Sequence, residues 1–210
     1  IRLSMQQGRI DGEVDANTAL FGGVVGMANN MTQFIMDTLN VEISIAGDFD
    51  ANTEVVNIGG VAGKIASGGF LAADAVVSGN IKASSSTLFD TDHFFATVFY
   101  VGGLVGQWKA VNSDTFWVNG GSVNVNIGMD SLLVPFLDVG GILGNAFADD
   151  EKARPLVSIM NVGYDGKIDL GFANHVQRTY AGGFVGDIHS ESGYFSAVIE
   201  NVKSAPEMRG

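Results

Sequence analysis

The sequence predicts an all-β chain: a three-sided parallel β-helix, or β-solenoid, of about five stacked repeats forming one domain over residues 1–210. Three observations lead there. One glycine pattern, hydrophobic-Gly-Gly-hydrophobic-hydrophobic-Gly, occurs five times, at 21–26, 58–63, 101–106, 139–144 and 181–186. The first glycines of successive copies stand 37, 43, 38 and 42 residues apart, the period of an array whose units stack on one another. A Gly-polar-hydrophobic-polar segment accompanies each copy. Finally, the chain holds 29 glycines against three prolines, and the glycines recur at fixed places among Val, Ile and Phe instead of clustering with serine as in a flexible linker.

Each element follows from its residues. Glycine admits positive φ and a closely approaching backbone, so the Gly-Gly pair predicts a sharp bend or bulge where coils touch. The alternating segments are Gly12-Glu13-Val14-Asp15, Gly47-Asp48-Phe49-Asp50, Gly79-Asn80-Ile81-Lys82, Gly121-Ser122-Val123-Asn124 and Gly166-Lys167-Ile168-Asp169. Their period of two predicts half-buried strands, with Val14, Phe49, Ile81, Val123 and Ile168 stacked into one core column. β-branched or apolar runs at 39–45, 75–77, 116–119, 158–162 and 198–202 supply a third strand-like piece per repeat. Loops at 83–100, 126–138 and 170–180 lengthen in the later repeats and are expected to project from one side.

Composition restricts function. A net charge of -12, with 11 Lys and Arg and no basic run, argues against nucleic acid and against an anionic membrane surface. No cysteine is present, which excludes disulfides and thiolate-bound zinc. The longest apolar-rich stretch, 94–106, falls short of the roughly 18 residues needed to cross a bilayer, so no membrane insertion is expected. The chain begins at Ile1, consistent with removal of a signal peptide or of a larger neighbour.

Candidate chemistry is sparse. Residues 59–65 approach a phosphate-binding loop, but Ile58 and Ile65 stand where Gly and Ser or Thr are needed. His93, His175 and His189 have no helical zinc spacing, and no Gly-Xaa-Ser-Xaa-Gly elbow occurs. Glu13 and Asp15 are expected to stack on Asp48 and Asp50, an alignment of like charges that calcium would relieve, with Asn17 and Asn52 adding carbonyl oxygens. Polar replacements at Asn80, Lys82, Ser122 and Asn124 break that acidic ladder, so a solvated surface is the competing reading. The aromatic residues Phe94, Phe95, Tyr100, Trp108, Phe136 and Tyr180 lie in or beside the lengthened loops and form the expected binding surface for a host or matrix glycan or protein. Covering of the solenoid's own core is the alternative for the phenylalanines.

The five Gly-Gly-hydrophobic-hydrophobic-Gly copies resemble the GLUG motif, repeated in bacterial surface and secreted proteins that include adhesin-like chains and non-catalytic portions of some immunoglobulin A peptidases. The resemblance spans Gly12 to about Val202. It implies an extracellular or cell-surface location and an adhesive or structural role, and it transfers no catalytic residue. The expected function is thus a non-enzymatic adhesin or scaffold. Two alternatives accompany it: a filament subunit joined through solenoid ends, and a polysaccharide-active β-helix enzyme or spacer of a secreted protease.

Overall fold

The computed structural model describes residues 4–10, 13–14, 18–29, 33–49, 53–85, 98–130, 136–148, 150–171, 178–191, 194–204 and 207–209. Every regular element among them is a strand. The chain opens with β1 (Ser4–Ile10), β2 (Glu13–Val14), β3 (Thr18–Gly22), β4 (Val25–Ala28), β5 (Gln33–Asp37) and β6 (Asn40–Phe49). The next coils contribute β7 (Val55–Gly59), β8 (Ala62–Ile65), β9 (Gly69–Ser85), β10 (Val98–Gly102), β11 (Val105–Ala110) and β12 (Thr115–Asp130). Then follow β13 (Phe136–Gly140), β14 (Leu143–Ala148), β15 (Leu156–Met160), β16 (Gly163–Tyr164) and β17 (Lys167–Asp169). The last coil supplies β18 (Arg178–Gly182), β19 (Val185–Ser190), β20 (Ser196–Glu200), β21 (Lys203–Ser204) and β22 (Glu207–Arg209).

These strands form three parallel sheets, and the chain is a β-solenoid of about four turns between its first and last glycine corners. Among the described residues sheet A has 12 strands: six along the path β1-β6-β9-β12-β15-β20, and β2, β5, β16, β17, β21 and β22 paired off it. Sheet B has the order β18-β13-β10-β7-β3, and sheet C the order β19-β14-β11-β8-β4. Each glycine copy contributes one strand to sheet B before the pair and one to sheet C after it. The motif is therefore the joint between two sheets, not a bend within one strand.

The joint works by exclusion of side chains. A Cβ on Gly102 would lie 1.9 Å from the Val105 carbonyl oxygen, and one on Gly103 would lie 2.0 Å from the Gly141 oxygen and 2.7 Å from Val123 of sheet A. Positive φ plays no part, because among the described residues the glycines with φ above zero are Gly68, Gly79, Gly120, Gly121 and Gly171, none of them in a corner pair. Close approach alone is what the pair provides. It lets successive corners hydrogen-bond through backbone: Leu104 N donates to Ile142 O at 2.9 Å, as Val61 N does to Leu104 O and Ile142 N to Phe184 O.

A second corner bends sheet A. Thr38, Asp74, Gly120, Asn161 and Asn201 have φ of 52, 48, 77, 55 and 51°, and strand register places them above one another. Asn, Asp and Gly tolerate this left-handed conformation, which a β-branched Thr enters only at a cost.

Between the sheets lies a continuous apolar core. Phe34, Phe70 and Phe116 stack at centroid distances of 5.9 and 4.8 Å, and Trp108 packs on Phe116 at 5.7 Å. Phe49, Ile81, Val123 and Ile168 are all buried, as their alternation requires. They do not share one column, however. Val14 pairs with Phe49, whereas Ile81 and Ile168 both pair with Ile127, and Val123 pairs with Val77 and Tyr164. The cause is the two-residue period of a strand: a slip of four residues keeps every face correct while changing every partner.

Candidate functional site

At the fourth glycine corner the polar side chains that flank it, Asp138 and Asn145, meet across it. Two residues before the first glycine stand Leu20, Asn57, Tyr100, Asp138 and Tyr180, aligned strand to strand in sheet B. Just after the last glycine stand Met27, Lys64, Gln107, Asn145 and Asp187, aligned in sheet C. Asn145 joins the two ladders. Its Nδ2 donates to Asp138 Oδ2 at 3.0 Å across the corner and to Asp187 Oδ2 at 3.5 Å along sheet C, while its Oδ1 accepts from Gln107 Nε2 at 3.3 Å.

Electrostatics single out this seam. Asp138 is completely buried, its Oδ1 makes no hydrogen bond among the described residues, and Arg178 Nη2 stands 3.9 Å from that oxygen. Burial first, and the neighbouring Asp187 second, raise the Asp138 pKa from 3.8 to about 6, against the opposing pull of Arg178, Asn145 and His189. Burial, reinforced by Asp138, pushes the Tyr100 hydroxyl up to about 12. Burial also lowers the Lys64 pKa, assisted by Lys109. Asn57 is likewise fully buried, and neither amide atom has a hydrogen-bond partner among the described residues.

Three of the expected aromatic residues come together beside this seam. Tyr100, Phe136 and Tyr180 lie on the same face of sheet B, and the Arg178 guanidinium covers the Phe136 ring at 5.1 Å and the Tyr180 ring at 4.7 Å. Trp108 must be removed from the binding surface. It is fully buried, its indole N–H donates to Gly68 O at 3.0 Å, and its ring packs on Phe116 and Phe195. The alternation Gln107-Trp108-Lys109 already places it opposite its polar neighbours. Phe94 and Phe95 lie outside the described residues.

The acidic strand pair is only partly described. Glu13 is in register with Asp48, as expected, while Asp15 and Asp50 lie outside the described residues. Asp48 accepts from Ser84 Oγ at 3.2 Å and lines a shallow hollow with Lys82 and Asp130, so a hydroxyl and an ammonium already share its surroundings. Among the described residues no three His, Asp or Glu side chains converge as a metal site. His189 stacks on Phe147 at 6.0 Å, and Lys109 sits over that same ring at 5.6 Å, on the outer face of sheet C.

A second region escapes the sequence reading altogether. Gln33, Gly69, Leu71, Ser113, Asp114, Thr115 and Trp117 line a hollow of about 420 Å³ on the outer face of sheet A. Strand parity, which buries Phe116 and turns Trp117 outward, was the available signal. No protein-family model, curated protein or solved structure matches the chain.

Proposed function

We propose that this chain is a non-enzymatic bacterial cell-surface or extracellular module, acting as a rigid adhesive or structural platform. The observation that carries the reading is the parallel strand register that runs through all three sheets, with a shift between Met5 and Gly8 of β1, and that presents the outer face of sheet A as one stiff surface. Such a surface spreads a binding load over many backbone hydrogen bonds, and its stacked corners resist bending. The resemblance to GLUG repeats supports the location and the class. Particles coated with the chain, tested against matrix-coated and bare surfaces under flow, provide the check. Selective retention on matrix is expected, and equal retention on both would contradict the adhesive role.

A second reading, end-to-end assembly, has its own support. Strands β18 and β19 end sheets B and C, and β20 ends the main path of sheet A, so each offers one edge without a strand neighbour among the described residues. Val198, Ile199 and Met208 are 37, 45 and 45% exposed at that end. Sedimentation and electron microscopy over a concentration range should reveal filaments if these edges pair; a monomer throughout would remove this reading.

The polysaccharide-cleaving alternative gains less. Asp138, Asp187 and Arg178 do converge, but a general acid must reach the bond it protonates, and the Asp138 side chain has no solvent-exposed surface. Its burial supports an internal role.

A further inference from the structure

We infer that the hollow around Trp117 is a binding site for a neutral sugar ring; this deepens the adhesive reading and rests on it. The outer face of sheet A is mostly polar, with exposed Glu42, Ser44, Asn80, Lys82, Asn124 and Asn126. An apolar column interrupts it: Ile35, Leu71 and Trp117 are in-register neighbours on three successive strands, and Ile35 is 66% exposed, against 39% for the isolated Val76. A clustered apolar patch facing water on an otherwise polar surface marks a contact site.

The walls define the ligand. Gly69 stands between Gln33 and Thr115 on the floor of the hollow, where a Cβ would crowd Thr115 O at 3.1 Å and touch Leu71 at 3.6 Å and Gln33 at 3.7 Å. Beside Gly69, the Asp114 carboxylate is fixed by backbone N–H groups of Gly68 at 3.1 Å and Val111 at 3.0 Å, both donating to Oδ2. Trp117 supplies an aromatic face, while Gln33, Ser113, Asp114 and Thr115 supply amide, hydroxyl and carboxylate groups on the rim. An aromatic face against the C–H side of a pyranose, with polar groups reaching its hydroxyls, is a pairing that suits a sugar and few other small solutes. Among the described residues no cation lines the hollow and one carboxylate does, and the chain carries a net charge of -12. Uronates, sialates and sulfated sugars are therefore repelled, which leaves a neutral glycan.

The test uses the whole chain with maltose, cellobiose, lactose and chitobiose as neutral probes and glucuronate as the anionic one. Saturation-transfer NMR reads binding, and acrylamide quenching reads protection of Trp117, since the other tryptophan, Trp108, is buried. At least one neutral disaccharide should bind at millimolar concentration and shield Trp117. Trp117→Ala should weaken that binding by about tenfold or more, and Gln33→Leu, on the rim, by about threefold. Near-ultraviolet circular dichroism confirms that each variant keeps the Trp108 environment. No binding by any neutral probe, unchanged binding in Trp117→Ala, or comparable binding of glucuronate would overturn the inference. Matrix retention that persists in Trp117→Ala would overturn it too, while leaving the adhesive platform intact.

Discussion

Each coil of the solenoid turns at two kinds of corner, and the two leave very different marks in the sequence. The glycine corner between sheets B and C repeats its glycines in all five copies, whereas the left-handed corner in sheet A is occupied by Thr38, Asp74, Gly120, Asn161 and Asn201. Both are backbone constraints, but they restrict different things. The first forbids a Cβ, which only glycine satisfies. The second asks only for positive φ, which Asn and Asp also tolerate. Repetition of a residue therefore reports steric exclusion, while a constraint on φ can recur five times without repeating a residue.

The contrast breaks most visibly at the glycine pair. Gly102→Ala places a methyl group 1.9 Å from the Val105 oxygen and should cost more than about 4 kcal/mol, read as loss of the cooperative urea transition. Gly128→Ala, whose Cβ would meet nothing closer than 3.9 Å, should stay within about 0.5 kcal/mol of the parent. Equal effects at both positions would show that close approach is not what the corner glycines provide.

Next in size is the charge that the glycine corner encloses. The folded-state pKa of Asp138 is raised from 3.8 to about 6, so between those values the native chain holds a proton that the unfolded chain has released. Stability should consequently fall as pH rises from about 4 to about 6, by an order-of-magnitude total of about 3 kcal/mol, and Asp138 should add no further slope above that window. Asp138→Asn should remove this component from urea midpoints measured across the window. An unchanged pH profile would show that Asp138 is not the group responsible.

Smaller effects belong to the left-handed corner. Asn161→Ala should cost about 1 kcal/mol, from the left-handed backbone and from the lost hydrogen bond to Asn119 Oδ1. Asn161→Gly should recover the backbone part. Thr38→Gly should stabilise by a few tenths of a kcal/mol or more, because a β-branched residue sits poorly at φ 52°. Thermal midpoints of these three variants order the effects directly; destabilisation by Thr38→Gly would mean that its Oγ1 contact with Asp37 Oδ1 outweighs the strain.

This difference also explains what the sequence made legible. The all-β solenoid, its glycine corners and the buried faces of Phe49, Ile81, Val123 and Ile168 follow from repetition and alternation. Register did not follow, because alternating motifs four residues apart satisfy the same faces. Asp138 could have been noticed as the one carboxylate two residues before a glycine pair, where the other copies have Leu20, Asn57, Tyr100 and Tyr180. Its partners Asn145 and Arg178 come from other strands, and that meeting depends on the joint between sheets. Trp108 and Trp117 were separable by parity alone: one lies on the core side of β11, the other on the outer side of β12.

Register is the central claim, because it sets every ladder, the buried seam and the wall of the Trp117 hollow. It can be read by disulfide trapping in a chain that has no cysteine of its own. Asn80 and Asn126 are in-register partners whose side chains hydrogen-bond at 3.1 Å, whereas alignment of the sequence motifs would pair Asn80 with Ser122. Adjacent strands lie about 4.8 Å apart, within disulfide reach, and a four-residue slip of about 13 Å puts the other pair far beyond it. Oxidation of Asn80→Cys/Asn126→Cys should give near-complete intramolecular bonding in the native state, and Asn80→Cys/Ser122→Cys should give none. The reverse pattern would contradict the register and, with it, the arrangement of both corners.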